Sequence, residues 1–307
     1  MRLLVTGGSG FLGGQVLAEA ARQGHECVAL ARSVTAAETV AARGATPLAG
    51  DLRDPGLAQV FASARCEALV NLASLGFGHA PAIVSAAQAA GLDRAIFIST
   101  TAVITTLPAT SKRVRLAAEE MIRRGGLDWT ILRPTMIYGT ASDRNMSRLL
   151  TALARARWVP ALPLPGSGQR LQQPVHVADV ASAVLACARR PQTAGLRYDV
   201  AGPAPMPFSD LLRAAADAVG CRARFVSVPL GPVIAMTRGY ERVSRHPRIR
   251  AEQWQRLAED KAFAIDAAAR DLGYAPRSFR DGIRAEAVAL GLAASRSPAE
   301  AACPALP

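Results

Sequence analysis

The chain has 307 residues, half of them hydrophobic and a fifth charged, with a formal net charge of +12 at neutral pH. That length and apolar content suit one large domain or two unequal ones around a sizeable core. No apolar run reaches the roughly 18 residues a membrane span needs, and MRLLVTGGSG breaks into glycines too soon for a secretory signal, so a cytoplasmic protein without a transmembrane segment is expected.

In chain order, the first half alternates strand and helix patterns with short connections, which is the pattern of a parallel sheet covered on both faces. RLLVTG reads as a first strand and FLGGQVLAEAARQG as a helix. ECVALAR is a second strand, TAAETVAARG a helix and ATPLAGD a third strand. ALVNLAS is the fourth, followed by the helix APAIVSAAQAAG and the fifth strand RAIFIST. SKRVRLAAEEMIRRGG is a helix and LDWTILRP a sixth strand stopped by proline. Four of these helices end at glycine, the residue that adopts a left-handed cap without steric penalty.

After residue 140 the rhythm changes. MSRLLTALARAR is helical, VPALPLPGSG reads as a proline-rich loop, and QPVHVADVASAVLACARR reads as a short strand leading into a helix. LRYDVAG is a strand that could rejoin the main sheet. FSDLLRAAADAVG, AIDAAARDLGY and SFRDGIRAEAVALG are helical, and RFVSVPL is a strand. The expected fold is a doubly wound Rossmann-type α/β domain over residues 1–158, joined by the strand near 196–201. A smaller, discontinuous substrate region is expected over 159–292, with a disordered tail over 293–307.

The five cysteines (Cys27, Cys66, Cys187, Cys221 and Cys303) are scattered without a CxxC pair, and His25, His79, His176 and His246 show no ligand spacing. Reduced thiols and no bound metal follow as the expectation. The basic residues are almost all arginine, the only lysines being Lys112 and Lys261. A basic chain raises nucleic acid as a partner. Here the arginines are spread as singles and pairs, so solvated faces are expected instead. Such a surface still favours a phosphorylated cofactor or a nucleotide-linked substrate.

The sharpest local signal is TGGSGFLG, Thr6 to Gly13, which follows a strand and opens a helix. A dinucleotide site needs glycines there for a tight turn, for close approach of the backbone to the pyrophosphate, and for close packing of helix on strand. The pyrophosphate then meets unpaired amides at the positive end of the helix dipole. At the end of the second strand, where an NAD site places a carboxylate on the ribose hydroxyls, this chain has Arg32 and Ser33. A guanidinium and a hydroxyl suit a ribose 2′-phosphate, so NADP(H) is the expected cofactor, with NAD(H) as the alternative.

These residues resemble the short-chain dehydrogenase/reductase superfamily in its extended and atypical branches, the NAD-dependent epimerase/dehydratase group. The likeness runs over nearly the whole chain. It includes TGGSGFLG, GDLRD at Gly50 to Asp54, NLAS at Asn71 to Ser74 and STT at Ser99 to Thr101. It continues with LRPTMIYG at Leu132 to Gly139, PVHVADVA at Pro174 to Ala181 and DLGYAPRSFRDGI at Asp271 to Ile283. The resemblance implies cofactor contacts from Gly7, Gly10, Phe11, Leu12 and Gly13, from Asp51 and Leu52 at the adenine, and from Leu72, Ala73 and Ser74. It implies further contacts from Ser99, Lys112 and Pro134 toward the nicotinamide. Thr101 is similar to the family's catalytic Ser/Thr.

The family's active members also carry a tyrosine four positions before the lysine. Lys112 matches the lysine, but the tyrosine position is Pro108, which has no proton to transfer. Three readings follow. Lys112 acts alone or through water, as in isoflavone-reductase-like relatives; Tyr138 or His79 substitutes for the tyrosine; or the protein binds the cofactor without turning it over. Thr101, Lys112 and Tyr138 are therefore the catalytic candidates, while Asn145 and Arg148 could reach a nucleotide diphosphate. The expected activity is that of an NADP(H)-dependent reductase or epimerase on a carbonyl or hydroxyl of a small or nucleotide-sugar-like substrate. The alternative is a non-catalytic dinucleotide-binding sensor or scaffold. A homodimer is a further expectation.

Overall fold

The computed structural model describes residues 1–107, 110–244, 251, 254 and 259–293. The chain divides into two compact units. The first comprises Met1–Ile137, Gln173–Ala204 and Phe263–Arg277; the second comprises Tyr138–Gln172, Pro205–Ala262 and Ser278–Pro307.

In the first unit the order is β1 (Arg2–Thr6), α1 (Phe11–Arg22), β2 (Glu26–Ala31), α2 (Val34–Ala41), β3 (Thr46–Ala49), α3 (Leu57–Ser63) and β4 (Ala68–Asn71). It continues with α4 (Ala80–Ala89), β5 (Arg94–Ile98), α5 (Thr110–Arg124), β6 (Asp128–Pro134), α6 (Val177–Ala188), β7 (Leu196–Val200) and α7 (Asp266–Leu272). The seven strands form one sheet in the order β7-β6-β5-β4-β1-β2-β3, every neighbouring pair parallel. The sequence of connections reverses between β1 and β4, and in a sheet of this kind ligands bind beyond the carboxyl ends of the strands at that point.

The period-2 alternation of the strands β6, β5, β4, β1 and β2 supplies two cores. On one face Leu3, Val5, Val70 and Ile96 pack beneath Val16 and Leu17 of α1 and Val180 and Val184 of α6. On the other Leu4, Leu69 and Phe97 meet Phe61 of α3, Ile83 of α4 and Ile122 of α5. Both faces are covered, which is why the strands read as nearly continuous apolar runs.

In the second unit the helix Met146–Arg155 buries Met146, Leu150 and Leu153 and packs against the helices Phe208–Ala218 and Phe279–Ala289. The sequence reading carried the first domain to residue 158, but the continuous part of the first unit ends at Ile137, because this helix joins those two partners. The segment read as a proline-rich loop contains the strand Ala161–Pro165, paired in parallel with Arg224–Val228. Its prolines sit on a two-stranded edge, where a missing N–H is tolerated. The helix Leu230–Val243 was not anticipated as an element.

Among the described residues no helix is long and apolar enough to cross a membrane. Cys27, Cys66, Cys187 and Cys221 are free. Apart from residue 293, the tail expected to be disordered lies outside the described residues, as does Pro108.

Candidate functional site

Thr6 ends β1 with its hydroxyl donating to Asn71 Oδ1 at 2.6 Å, so the ends of β1 and β4 are tied together at the reversal point. The chain then enters the glycine turn. Gly7 has φ +72°, and a Cβ there would lie 2.9 Å from the backbone of Leu72 and Ala73, so only glycine allows the turn to lie against β4. A Cβ on Gly13 would meet the carbonyl oxygens of Gly7 at 2.3 Å and Gly8 at 2.6 Å, which brings α1 close onto the turn. A Cβ on Gly10 would meet only Gly7 O, at 3.2 Å, so that position is open on its outer side.

Helix α1 starts after Gly10 with no side-chain cap and no acidic residue in its first turn. Its leading amides therefore have no side-chain acceptor, in the arrangement that holds a pyrophosphate. Phe11 is partly buried and Leu12 buried against the core. The turn, its missing cap and the close-packed glycines fit a dinucleotide.

Around this turn the sequence-predicted residues fall as follows. Arg32 is exposed after β2, and Ser33 caps α2 by accepting from the Ala36 amide at 3.2 Å. Asp51 is gripped by Arg53 through Nε and Nη2, both at 3.0 Å, and these bonds hold its carboxyl down at about 2. It is therefore an anion throughout the physiological range. Leu52 is partly buried against the core beside it. Beyond β4 the Leu72 amide donates to Thr6 O at 3.1 Å, Asn71 Nδ2 donates to Ala73 O at 3.1 Å, and Ser74 Oγ accepts from the Gly76 amide at 3.2 Å. Leu72 is thereby tied to the end of β1, while Ala73 and Ser74 are held by bonds within their own segment.

The second half of the site sits beyond β5 and β6. Thr101 opens a 3-10 turn, Thr101–Val103, that α5 packs against, and its hydroxyl donates to Pro134 O at 3.3 Å. Lys112, in the first turn of α5, donates its ammonium to Thr105 O at 2.5 Å. The segment beginning at Thr101 thus carries the anchor of Lys112. Ser99 is buried just beyond β5. Its hydroxyl donates to Glu119 Oε1 at 2.6 Å, and Glu119 holds Arg133 in a buried two-pronged ion pair. Ser99 is thereby committed to the packing of α5 on β6, a network the sequence reading missed.

Tyr138 lies in the second unit. It is 1% exposed, stacks at a tilt on Phe279 at 5.2 Å between ring centroids, and fills the space above Gly282. Its ring is a core element of the second unit, with no exposed face to offer a substrate. In the same unit Asn145 immediately precedes the helix Met146–Arg155, its amide donating to Asp143 Oδ1 at 2.6 Å. Arg148 lines an open groove of about 340 Å³ with Ser147, Thr151 and Arg155. Glu286 is fully buried; that burial, with the Asp143 carboxyl beside it, pushes its carboxyl up to about 9.

Sequence reasoning also missed Arg43. From just beyond α2 its Nη1 donates to Gly8 O at 2.9 Å and to Gly10 O at 3.2 Å. The only signal was the extra glycine, Gly14, inside α1.

The profile of the NAD dependent epimerase/dehydratase family matches residues 3–201. A ketoreductase of Stigmatella aurantiaca, acting on 4-hydroxy-2-methyl-3-oxo-4-farnesyl-3,4-dihydroquinoline-1-oxide, is 27% identical over 90% of this chain and 92% of its own length. The 2-alkyl-3-oxoalkanoate reductase of Stenotrophomonas maltophilia is 26% identical over 92% of this chain and 98% of its own. Among solved structures, the UDP-glucose-4-epimerase of Stenotrophomonas maltophilia with bound NAD and formylated UDP-arabinopyranose superposes with a TM-score of 0.72. It covers 95% of this chain and 98% of that one, at 21% identity. The seven-stranded parallel sheet, the glycine turn at its reversal point and the family profile across both lead to one conclusion: this chain belongs to the NAD dependent epimerase/dehydratase family, within the NAD(P)-binding short-chain dehydrogenase/reductases.

Proposed function

We propose that the protein is an NADP(H)-dependent reductase that acts on the ketone or hydroxyl of a small substrate without the family's tyrosine. The observation that carries this reading is the Lys112 ammonium, anchored on Thr105 O in the loop that Thr101 opens. This chain uses arginine almost everywhere, and a lysine here supplies a compact cation whose proton can be given up, which a guanidinium cannot do near neutral pH. Bound NADPH would supply a hydride to the carbonyl carbon. Gly7, Gly10 and Gly13, with the leading amides of α1, would hold its pyrophosphate, and Arg32 its 2′-phosphate. Thr101 would hydrogen-bond the substrate oxygen. Lys112 would hold the nicotinamide ribose and deliver a proton toward that oxygen, directly or through one water. The reductase names of two full-length relatives support a ketone substrate. The nucleotide-sugar alternative is supported by the epimerase fold and by the Arg148 groove.

A second reading, a dinucleotide-binding sensor or scaffold, is favoured by Pro108, which puts a residue with no proton at the tyrosine position. The two readings part at Lys112. NADPH oxidation is followed with 2-alkyl-3-oxoalkanoates and, separately, with UDP-sugars. Lys112→Met should lower turnover by about 10²–10⁴-fold while NADPH affinity falls far less, and Lys112→Arg should keep affinity but lose most turnover. A Lys112→Arg variant as active as the native protein would limit Lys112 to an electrostatic role. No turnover by the native protein on either class, with NADPH bound, would favour the second reading.

A further inference from the structure

We propose that Arg43 latches the glycine turn: its guanidinium holds the Gly8 and Gly10 carbonyls in place and adds its charge to the phosphate site, and Gly14 is glycine to make room for it. The inference rests on the reading that this turn binds a dinucleotide.

Two observations meet here. The first is the pair of hydrogen bonds from Nη1 to Gly8 O at 2.9 Å and Gly10 O at 3.2 Å, which join the end of the α2 region to the turn across more than thirty residues of sequence. The second lies in α1. A Cβ on Gly14 would stand 2.6 Å from Arg43 Cζ and 2.8 Å from its Nη1. Glycine in the interior of a helix is disfavoured relative to alanine, so a glycine there calls for a packing reason. The guanidinium occupying that space is the reason.

The electrostatics point the same way. Among the described residues Arg43 has no carboxylate partner, and its charge lies beside the N-terminus of α1, the positive end of the helix dipole. A cation placed there is unfavourable in the empty protein and becomes favourable when an anion binds the same amides. By engaging Gly8 O and Gly10 O, the guanidinium also fixes the turn's peptide planes before the ligand arrives. Ordering that is complete before binding is not charged against affinity. Arg43 therefore serves the phosphates common to both dinucleotides and Arg32 the 2′-phosphate alone. Arg43 is a positioning residue acting through the turn.

The test is calorimetric titration of NADPH and NADH into the native protein and into Arg43→Ala, Arg43→Lys, Gly14→Ala and the Arg43→Ala/Gly14→Ala double variant, with thermal melting of each. Arg43→Ala should weaken NADPH and NADH by the same factor, about tenfold or more, and Arg43→Lys should recover part of the loss. Arg32→Ala, in contrast, should weaken NADPH alone. Gly14→Ala should mimic Arg43→Ala in affinity while its melting temperature holds or rises, since alanine favours the helix and the displaced side chain is flexible. The double variant should bind no worse than either single one. Unchanged affinity in Arg43→Ala, a loss confined to NADPH, or additive losses in the double variant would overturn the latch. Failure of the native protein to bind either dinucleotide would instead remove the reading beneath it, and the latch with it.

Discussion

Residue 286 shows how burial changes the chemistry of a single side chain. Glu286 has no exposure in the helix Phe279–Ala289 and lies beside the Asp143 carboxyl, so its own carboxyl is raised from 4.5 to about 9. The folded chain therefore keeps a proton that the unfolded chain releases above about pH 4.5. By linkage this group's contribution to stability is fully present below that value and is lost as pH rises toward 9. Glu286→Gln keeps the neutral shape and removes the titration. It should flatten the dependence of melting temperature on pH between 4.5 and 9, and at pH 8 the variant should melt higher than the native protein by about 2 °C or more. Parallel melting curves for the two proteins across that range would show that Glu286 is not held protonated. Asp51 behaves in the opposite sense. Half-buried and gripped by Arg53, it stays ionised at every pH the protein would meet.

Among the elements, the turn between β1 and α1 was the most legible and also the most demanding. TGGSGFLG could be read from the sequence because each glycine answers a separate steric need, and the structure separates those needs. Gly13 faces backbone that cannot give way, so Gly13→Ala should lower stability by about 1–3 kcal/mol despite alanine's helix preference. Gly10 has open space outside it and extended φ and ψ, so Gly10→Val should leave the fold intact and abolish dinucleotide affinity. Circular dichroism melts beside NADPH titrations check both; equal effects on stability would contradict the division of roles. The alternating strands and helices of the first unit were legible for a related reason: strands buried on both faces read as apolar runs. The strand Ala161–Pro165 was not, because its prolines advertise a loop and only its pairing with Arg224–Val228 makes it a strand. Helix α3, Leu57–Ser63, was too short to announce itself. Side-chain networks were the least legible. Nothing local in Glu119, Arg133 or Ser99 says that they meet, and Tyr138 follows a recognisable motif yet turns into the core. Removing one member leaves a buried charge unpaired, so Arg133→Met should cost about 3–5 kcal/mol in chemical denaturation. A smaller loss would mean that water reaches Glu119.

For the whole molecule, the sheet reversal between β1 and β4, the family profile over residues 3–201 and the positive charge of the chain converge on an anionic dinucleotide. Arg32 at the end of β2, where a carboxylate would repel a 2′-phosphate, is the ground for the proposed preference for NADP(H). Thr101 and Lys112 lie on the same unit as the glycine turn, so the proposed cofactor site and the proposed proton donor belong to one folded body. The measurement that bears most directly on this account is a calorimetric titration of the native protein with NADPH and with NADH, repeated on Arg32→Asp. A charge-assisted contact to the extra phosphate corresponds to about ten- to hundredfold in affinity. The account predicts tighter binding of NADPH by that factor and a reversed preference in the variant; equal affinity for the two cofactors, or binding of neither, would contradict it.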